Sequence, residues 1–320
     1  MEILNLIIIF ITISIKNIYA QNNSNEECIY INKILKKEPS YDCCHYDGIT
    51  CLNGHVTIIY LFDISYSGSI PIELGNLINL ENIYLLGANL IGPIPSELGK
   101  LSNLVNLNIQ GFNINGPIPN ELGSLFKLER LCFLNTNLTG SIPSSLGNLT
   151  KLKELKLSNN QLSGVIPSGL GNLLNLKSLE IQENNFSGNI PPELGNLSNL
   201  KILEINGNNF NGTIPPELGN LSNLEILYLS RNNLSGSIPK EIKKLNTKLH
   251  ISNNPLLETE SNNNSVLIIL FIGVIFLILA TGIIISYKKT KKKIIEEEIA
   301  NRNKNIISFG SKNHPPVCIT

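Results

Sequence analysis

The chain has 320 residues, with 25 Lys and Arg balanced by 25 Asp and Glu, six cysteines and no tryptophan. The balance is uneven: residues 288–320 carry eight Lys and Arg against three Glu, which leaves 17 basic against 22 acidic residues before them. This asymmetry indicates contact with a membrane and argues against a nucleic-acid partner.

Residues 1–20 have the composition of a cleaved secretory signal peptide. An apolar run over residues 3–15 ends in Tyr19-Ala20 before a polar stretch. No Lys or Arg precedes the run, which leaves an uncleaved membrane anchor as the alternative. Both interpretations place the segment that follows outside the cytosol.

Four of the six cysteines fall in residues 21–55, which we predict to form an N-terminal cap. Clustered cysteines in a secreted chain indicate disulfides. Adjacent cysteines rarely bond each other, so we predict the pairs Cys28–Cys43 and Cys44–Cys51. A disulfide-bonded cap suits the start of a stacked array, because the first turn would otherwise expose its apolar end to water.

From Ile70 to Ile238 the dipeptide Ile-Pro recurs every 24 residues. An unbroken period of this size predicts a solenoid, here residues 56–257, in which each unit buries its apolar face on its neighbours. The unit reads Leu-x-x-Leu-x-Leu-x-x-Asn-x-Leu-x-Gly-x-Ile-Pro-x-x-Leu-Gly-x-Leu-x-x. Its Leu-x-Leu pair predicts a short strand with one buried face, and one strand per turn predicts a parallel inner sheet. The fold class is therefore an α/β repeat solenoid.

Each later unit has an asparagine at a position that stacking should bury, and this requires its amide to bond the backbone of neighbouring turns. These residues are Asn160, Asn184, Asn208 and Asn232. The first three repeats have Ala88, Phe112 and Thr136 instead, so we expect looser or shifted turns there. The glycine of Leu-x-Gly predicts a bend, and the proline after each Ile predicts a turn or edge position.

At these positions the sequence resembles the plant-specific type of leucine-rich repeat, whose signature Leu-x-Gly-x-Ile-Pro recurs in seven successive units, with Ile or Phe in place of Leu in three of them. Residues 42–51 resemble that family's amino-terminal cap, with Tyr46 in place of the usual Trp. The paired cysteines that close the family's arrays are missing after residue 245. The resemblance covers residues 28–257 and implies a leucine-rich-repeat arc of the receptor-like type.

Residues that flank the buried leucines should point outward from the inner sheet. In the first turns this exposes Tyr60, Phe62, Tyr84 and Leu86, a cluster typical of binding sites. Burial of this cluster beneath the cap is the alternative. Farther along, the same positions and their neighbours form an acidic and amide-rich stripe suited to basic peptides or sugar hydroxyls. The predicted binding residues of that part are Glu180, Gln182, Glu183, Glu204 and Tyr228.

Cys132 lies alone in the same row of positions, where it is either a tolerated free thiol or the site of a dimer bond. Glycosylation sequons recur with the repeat, and we expect some on accessible turns to be used. The candidate sites are Asn137, Asn148, Asn185, Asn196, Asn211, Asn220 and Asn233.

Residues 266–287 are uncharged and long enough to span a membrane as a helix, after a polar linker at 258–265. The lysines that follow predict a cytoplasmic tail, residues 288–320, by the positive-inside rule. We predict a single-pass plasma-membrane protein with an extracellular amino terminus. The tail is too short for a catalytic domain.

No catalytic constellation is present: the four histidines are scattered, and the acidic residues recur by duplication. A zinc site built from the cap cysteines with His45 and His55 is disfavoured by the oxidising secretory route, so we expect no metal and no cofactor. The chain is predicted to bind an extracellular protein, peptide or polysaccharide, and the resemblance implies signalling through a lateral co-receptor. The alternatives are a tethered adhesion or hydrolase-inhibitor module, similar to polygalacturonase-inhibiting proteins, and a carbohydrate-active enzyme.

Overall fold

The computed structural model describes residues 26–62, 67–87, 89–111, 113–258 and 260–310, with side chains in the last segment described for residues 272–297. The chain forms two compact units, Met1–Glu258 and Thr259–Thr320. The first contains the cap and the solenoid, and the second contains a long helix. The predicted signal peptide, Ala88 and Phe112 lie outside the described residues.

Helix α1 covers residues 26–35, and nineteen strands follow it in the described part of the first unit. The strands are β1 Ile49–Leu52, β2 His55–Phe62, β3 Ser67–Ser69, β4 Asn82–Leu86, β5 Asn89–Pro93, β6 Asn106–Gln110, β7 Asn113–Pro117, β8 Arg130–Leu134, β9 Asn137–Thr139, β10 Glu154–Lys156, β11 Ser163–Gly164, β12 Ser178–Glu180, β13 Asn185–Asn189, β14 Ile202–Glu204, β15 Asn209–Asn211, β16 Ile226–Tyr228, β17 Ser235–Ser237, β18 Lys248–His250 and β19 Leu256–Glu258.

The inner sheet has ten strands in the order β1-β2-β4-β6-β8-β10-β12-β14-β16-β18. All of its pairings are parallel except β1 with β2, which is antiparallel and closes the amino-terminal edge. The predicted parallel inner sheet is therefore confirmed. The side sheets were not predicted from the sequence. In the described residues they have the strand orders β3-β5-β7-β9, β11-β13-β15 and β17-β19.

Short 3-10 turns, rather than α-helices, form the outer side of the repeats. Each begins after the proline of Ile-Pro, whose φ lies between −61° and −66°. The fixed φ of proline suits this entry, and its missing N–H falls where a helical turn needs none. The turns of the repeats are Ile72–Asn76, Ser96–Lys100, Asn120–Ser124, Ser144–Asn148, Ser168–Asn172, Pro192–Asn196 and Pro216–Asn220.

Two glycine positions allow the turns to bend and stack. Gly164, in the Leu-x-Gly motif, has a φ of +80°, a conformation that favours glycine, and this confirms the predicted bend. Gly171 lies where neighbouring 3-10 turns meet, and a Cβ placed on it would lie 2.4 Å from the carbonyl oxygen of Glu193. The second glycine of the repeat is therefore required by close backbone packing.

The predicted asparagine ladder is present and buried. Asn184 shows the pattern: its Nδ2 donates to the carbonyl oxygens of Leu157, at 2.9 Å, and Ile181, at 3.1 Å. Its Oδ1 accepts from the backbone N–H of Leu162, at 3.0 Å. One amide thus links its own turn to the preceding turn through groups that would otherwise be buried without partners. Asn254 extends the ladder into the last turn.

The first repeats lack the ladder asparagine, and the looser or shifted turns expected there stay a prediction because Ala88 and Phe112 lie outside the described residues. Their strands β4, β6 and β8 have five residues each, whereas β10, β12, β14 and β16 have three. Thr136 is buried and donates a hydrogen bond to Oδ1 of Asn160, so it connects the two parts of the array. Without an asparagine to bond the backbone, the strand continues in the sheet for two more residues.

The cap contains both predicted disulfides, Cys28–Cys43 and Cys44–Cys51. Helix α1 is also joined to the sheet through Glu27, whose Oε2 accepts from the backbone N–H of Val56 at 2.7 Å. Cys28 and Cys43 are fully buried in the same core as the leucines of the repeats. The cap therefore covers the apolar end of the first turn.

At the other end of the array, helix α2 (Lys240–Lys243) packs on the preceding 3-10 turn and buries Ile242. Leu257 is also buried, whereas Leu249 and Ile251 are only partly buried against the core. This end is closed by side-chain packing and by Asn254.

Helix α3 covers Glu260–Gly310. Within it, Ile272–Glu297 is long and apolar enough to cross a membrane, and its side chains are exposed. The predicted span 266–287 falls inside this helix, and its boundaries stay a prediction.

Substitution of Asn184 by Ala should strongly destabilise the solenoid, because it leaves the N–H of Leu162 and two buried carbonyls without these partners. We expect the free energy of unfolding to fall by about 3 kcal/mol, from the cost of burying unsatisfied polar groups. Urea denaturation followed by circular dichroism measures the change. Asn172→Ala, at the exposed end of a 3-10 turn of the adjacent repeat, is the control. Equal effects of the two substitutions would contradict the role of the ladder.

The free thiol of Cys132 should be unreactive in the folded protein. Burial, reinforced by the charge of Glu154, raises its pKa to about 11. At about pH 8 we therefore expect iodoacetamide to modify it only after unfolding in urea, because the thiolate is the nucleophile. Mass spectrometry measures the modification, with Cys132→Ser as background. Rapid modification of the folded chain, or a Cys132-dependent disulfide dimer, would contradict this prediction.

Candidate ligand-binding face

The inner face is built from rows of residues that occupy the same position in successive strands. One predicted row runs from Tyr60 through Tyr84, Asn108, Cys132, Lys156, Glu180, Glu204 and Tyr228, and every neighbouring pair is in register. The structure extends the row to His250. Since adjacent strands lie about 4.8 Å apart, the row forms a continuous strip of side chains along the solenoid.

The aromatic cluster at the start of this face is open. Tyr60 is 48% exposed and Phe62 is 72% exposed, while Tyr84 and Leu86 are half-buried. The rings of Tyr60 and Tyr84 lie 5.5 Å apart between centroids and are tilted by 55°, a favourable aromatic arrangement. The structure thus brings together the four residues predicted here, and the described part of the cap does not bury Tyr60 or Phe62.

A second row, which sequence reasoning missed, carries charge along the middle of the face. Arg130 Nη1 donates to Asn106 Oδ1 at 2.7 Å, and Arg130 Nε donates to Glu154 Oε1 at 3.3 Å. Lys156 lies 3.6 Å from Glu154 Oε2 and 3.1 Å from Glu180 Oε1. The sequence did contain a signal of this second row: Arg130 and Glu154 are charged, are one 24-residue period apart, and each stands two positions before a residue of the first row. These charges neutralise one another in the middle of the inner face.

The predicted acidic stripe is divided by its contacts. Glu180 also accepts from Ser178 Oγ, at 2.6 Å, and Gln182 accepts from Ser158 Oγ, at 2.7 Å. Glu183 has a φ of +55°, so the chain leaves the sheet at this residue, and its carboxylate pairs with Arg231.

Glu204 has no hydrogen bond or ion pair to its carboxylate among the described residues. Partial burial and the neighbouring charge of Glu180 raise its pKa, against the opposing effect of Lys156 and Lys248. The carboxylate is therefore partly desolvated and lies near a second carboxylate.

Beyond Glu204, the face ends in two rings and a cation. Tyr228 and His250 lie 4.4 Å apart between centroids, and Lys248 Nζ lies 5.3 Å from the centroid of the Tyr228 ring. This distance is within the range of a cation–π contact. The predicted site residue Tyr228 is thus in register with Glu204 and already accommodates a positive charge.

Within the described part of the cap, the cysteines and histidines make contacts that do not suit a metal site. Three cysteine sulfurs lie within 4.8 Å of one another, but all are in disulfides and cannot act as thiolate ligands. His45 Nδ1 lies 2.9 Å from Asp42 Oδ2, and His55 Nδ1 lies 2.8 Å from Glu27 Oε1.

The candidate glycosylation sites lie away from the inner face, and all have exposed side chains. Asn148, Asn196 and Asn220 end 3-10 turns on the outer side of the solenoid. The others lie on or beside the side-sheet strands: Asn137, Asn185, Asn211 and Asn233.

The family model described as Leucine Rich Repeat matches four consecutive units, residues 151–173, 175–197, 199–221 and 223–245. Among curated proteins, none matches the sequence significantly. Many solved structures do match.

The LRR ectodomain of the plant membrane receptor kinase GASSHO1/SCHENGEN3 from Arabidopsis thaliana, in complex with CASPARIAN STRIP INTEGRITY FACTOR 2, is 35% identical over 72% of this chain and 29% of that chain, with a TM-score of 0.65. The ectodomain of the Arabidopsis receptor kinase HAESA, in complex with an N-terminally extended IDA peptide hormone, is 32% identical over 75% of this chain and 42% of that chain, with a TM-score of 0.64.

The plant peptide hormone receptor RGFR1, in complex with RGF2, is 42% identical over 58% of this chain and 30% of that chain, with a TM-score of 0.57. This chain therefore spans less than half the length of each of the three receptor chains. The repeat motif, the solenoid with its cap and these matches together show that the chain is a plant-type leucine-rich-repeat protein, similar in its solenoid to plant receptor ectodomains.

Proposed function

We propose that the solenoid is a non-catalytic recognition domain whose inner face binds an extracellular peptide or protein, and that the chain acts as a receptor-like protein. The open aromatic cluster of Tyr60, Phe62 and Tyr84 is the observation that carries this proposal. Exposed, rigid aromatic side chains supply binding energy at low entropic cost. The three similar ectodomains, two of which are described as bound to or receiving peptide hormones, support a peptide ligand.

The placement of the sequons also supports the inner face. All seven candidate sites lie on the outer turns or beside the side sheets. Glycans attached there would cover these surfaces and leave the inner face accessible. A ligand would then have access to the aromatic cluster at one end of the face and to Glu204 and Tyr228 at the other. The paired charges lie between these two ends.

The arrangement in the membrane is part of the proposal. Helix α3 would cross the plasma membrane once, with the solenoid outside and the lysines after residue 287 in the cytoplasm, as the positive-inside rule predicts. We propose that a lateral partner in the membrane transmits the signal, because no catalytic constellation is evident in the sequence.

Substitution of Tyr60, Phe62 and Tyr84 by Ala should abolish ligand binding with little effect on the fold, because these side chains are at least partly exposed. Full-length protein in nanodiscs is screened by interferometry against secreted peptides, secreted proteins and cell-surface polysaccharides. We expect the triple variant to lose at least about tenfold in affinity, the size of a hot-spot effect.

Phe126→Ala is the matched control, since this ring is 62% exposed but follows an outer 3-10 turn. The proposal is wrong if the triple variant binds as tightly as the Phe126 variant. Circular dichroism of both variants checks that the fold is retained.

A tethered adhesion or inhibitor module is the second candidate, because exposed aromatic rings also stack on sugars. Truncation after Lys293 tests it, since this change keeps the lysines that orient the helix but removes the rest of the tail. For a receptor-like protein we expect ligand binding to be unchanged and ligand-dependent protein phosphorylation in the expressing cells to be lost. Ligand binding by both chains without ligand-dependent phosphorylation in either would favour the tethered module. Turnover of a glycan by the purified protein would instead indicate an enzyme.

A further inference from the structure

The carboxylate of Glu204 differs from the other acidic groups of the inner face. Glu154 and Glu180 contact Lys156, and Glu183 contacts Arg231. Glu204, by contrast, has no partner for its carboxylate among the described residues, although its side chain is partly buried. Of these four acidic residues only Glu204 has no ion pair, although Lys156 and Lys248 act on its carboxylate from a longer distance.

The surroundings of Glu204 suit a cation from a ligand. Tyr228 is the next residue in the same row, and its ring already lies 5.3 Å from an ammonium group of the protein, Lys248 Nζ. A carboxylate and an aromatic face together match the charge of Arg or Lys.

We infer that Glu204 is a specificity-determining residue of the proposed peptide site and pairs with a Lys or Arg side chain of the ligand. This inference rests on the proposed function, because it requires that a peptide binds the inner face. Beyond the proposed function, the inference specifies that one ligand residue is positively charged and how far this residue lies from the aromatic cluster.

The position follows from the sheet. Tyr84 and Glu204 occupy the same row, five strand intervals apart. At about 4.8 Å per interval the two side chains lie roughly 24 Å apart along the sheet, a distance that an extended peptide covers in about seven residues. Tyr60 adds one more interval, or about one to two residues. A ligand that binds both ends should therefore place its basic residue about seven to nine residues from an aromatic or aliphatic residue.

Selection from a displayed library of random 12-residue peptides tests the inference. The targets are the full-length protein in nanodiscs, its Glu204→Gln variant, and Glu217→Gln as the matched control. Glu217 is in the same repeat, but lies exposed on an outer 3-10 turn. Circular dichroism confirms that each variant is folded.

From the wild type and Glu217→Gln we expect peptides that combine an aromatic or aliphatic residue with Lys or Arg at this separation. Glu204→Gln should select the apolar residue without the basic one. Replacement of the basic residue by Gln in a selected peptide should weaken binding to the wild type about tenfold, the effect of losing one charge-assisted hydrogen bond, and leave binding to Glu204→Gln unchanged.

Two results overturn the inference while the proposed function stands: peptides that need the aromatic cluster but carry no basic residue, or a basic preference that Glu204→Gln retains. A third result overturns both. If no peptide is enriched above the Tyr60, Phe62 and Tyr84 triple variant, the inner face is not a peptide site, and Glu204 has no such role.

Discussion

The buried asparagine ladder is the interaction on which the later repeats depend. Each side-chain amide bonds the backbone of its own turn and of the turn before it, as Asn184 does with Ile181, Leu157 and Leu162. Successive turns are thereby fixed at one spacing and one register, because a shift of one turn would leave buried polar groups unpaired. The rows of the inner face are a consequence of this register.

The ladder also explains why the two ends of the inner face differ. Where asparagine is present, the strand ends after three residues and the next side chains leave the sheet. Where it is absent, the longer strands β2 and β4 keep Phe62 and Leu86 paired in register beside Tyr60 and Tyr84. The wide, apolar start of the face is therefore linked to the missing asparagines of the first repeats, and the narrow, polar end to the ladder.

Much of this fold follows from the sequence because the 24-residue period converts position in the chain into position in space. The period was sufficient to predict the inner strands, the row from Tyr60 to Tyr228, the buried asparagines and the bend at Gly164. The prediction of the two disulfides rested on the clustering of four cysteines and on the rule that adjacent cysteines rarely bond each other. These features depend on the backbone, or on residues that a repeat places next to one another.

The period alone could not predict the contacts that depend on side-chain conformation. Glu183 and Arg231 are 48 residues apart and meet across two turns, which no adjacent-repeat rule anticipates. The pairing of Glu180 with Lys156 divides what looks in the sequence like one acidic stripe. The burial of Cys132, a residue in the row expected to face outward, is also not evident from the period. The side sheets are likewise formed by segments too short and too polar to show a strand pattern.

The division of the inner face has a consequence for selectivity. Charges in the middle are already paired, so a ligand gains little from matching them and loses little by crossing them. At Glu204 the situation is reversed, since any ligand that covers this carboxylate without offering a cation buries an unpaired charge. Such a ligand is disfavoured even if its apolar end fits the aromatic cluster. In the proposed peptide site, affinity and discrimination would thereby be assigned to different ends of the same sheet: the aromatic rings would supply binding energy, and the carboxylate of Glu204 would exclude ligands of the wrong charge.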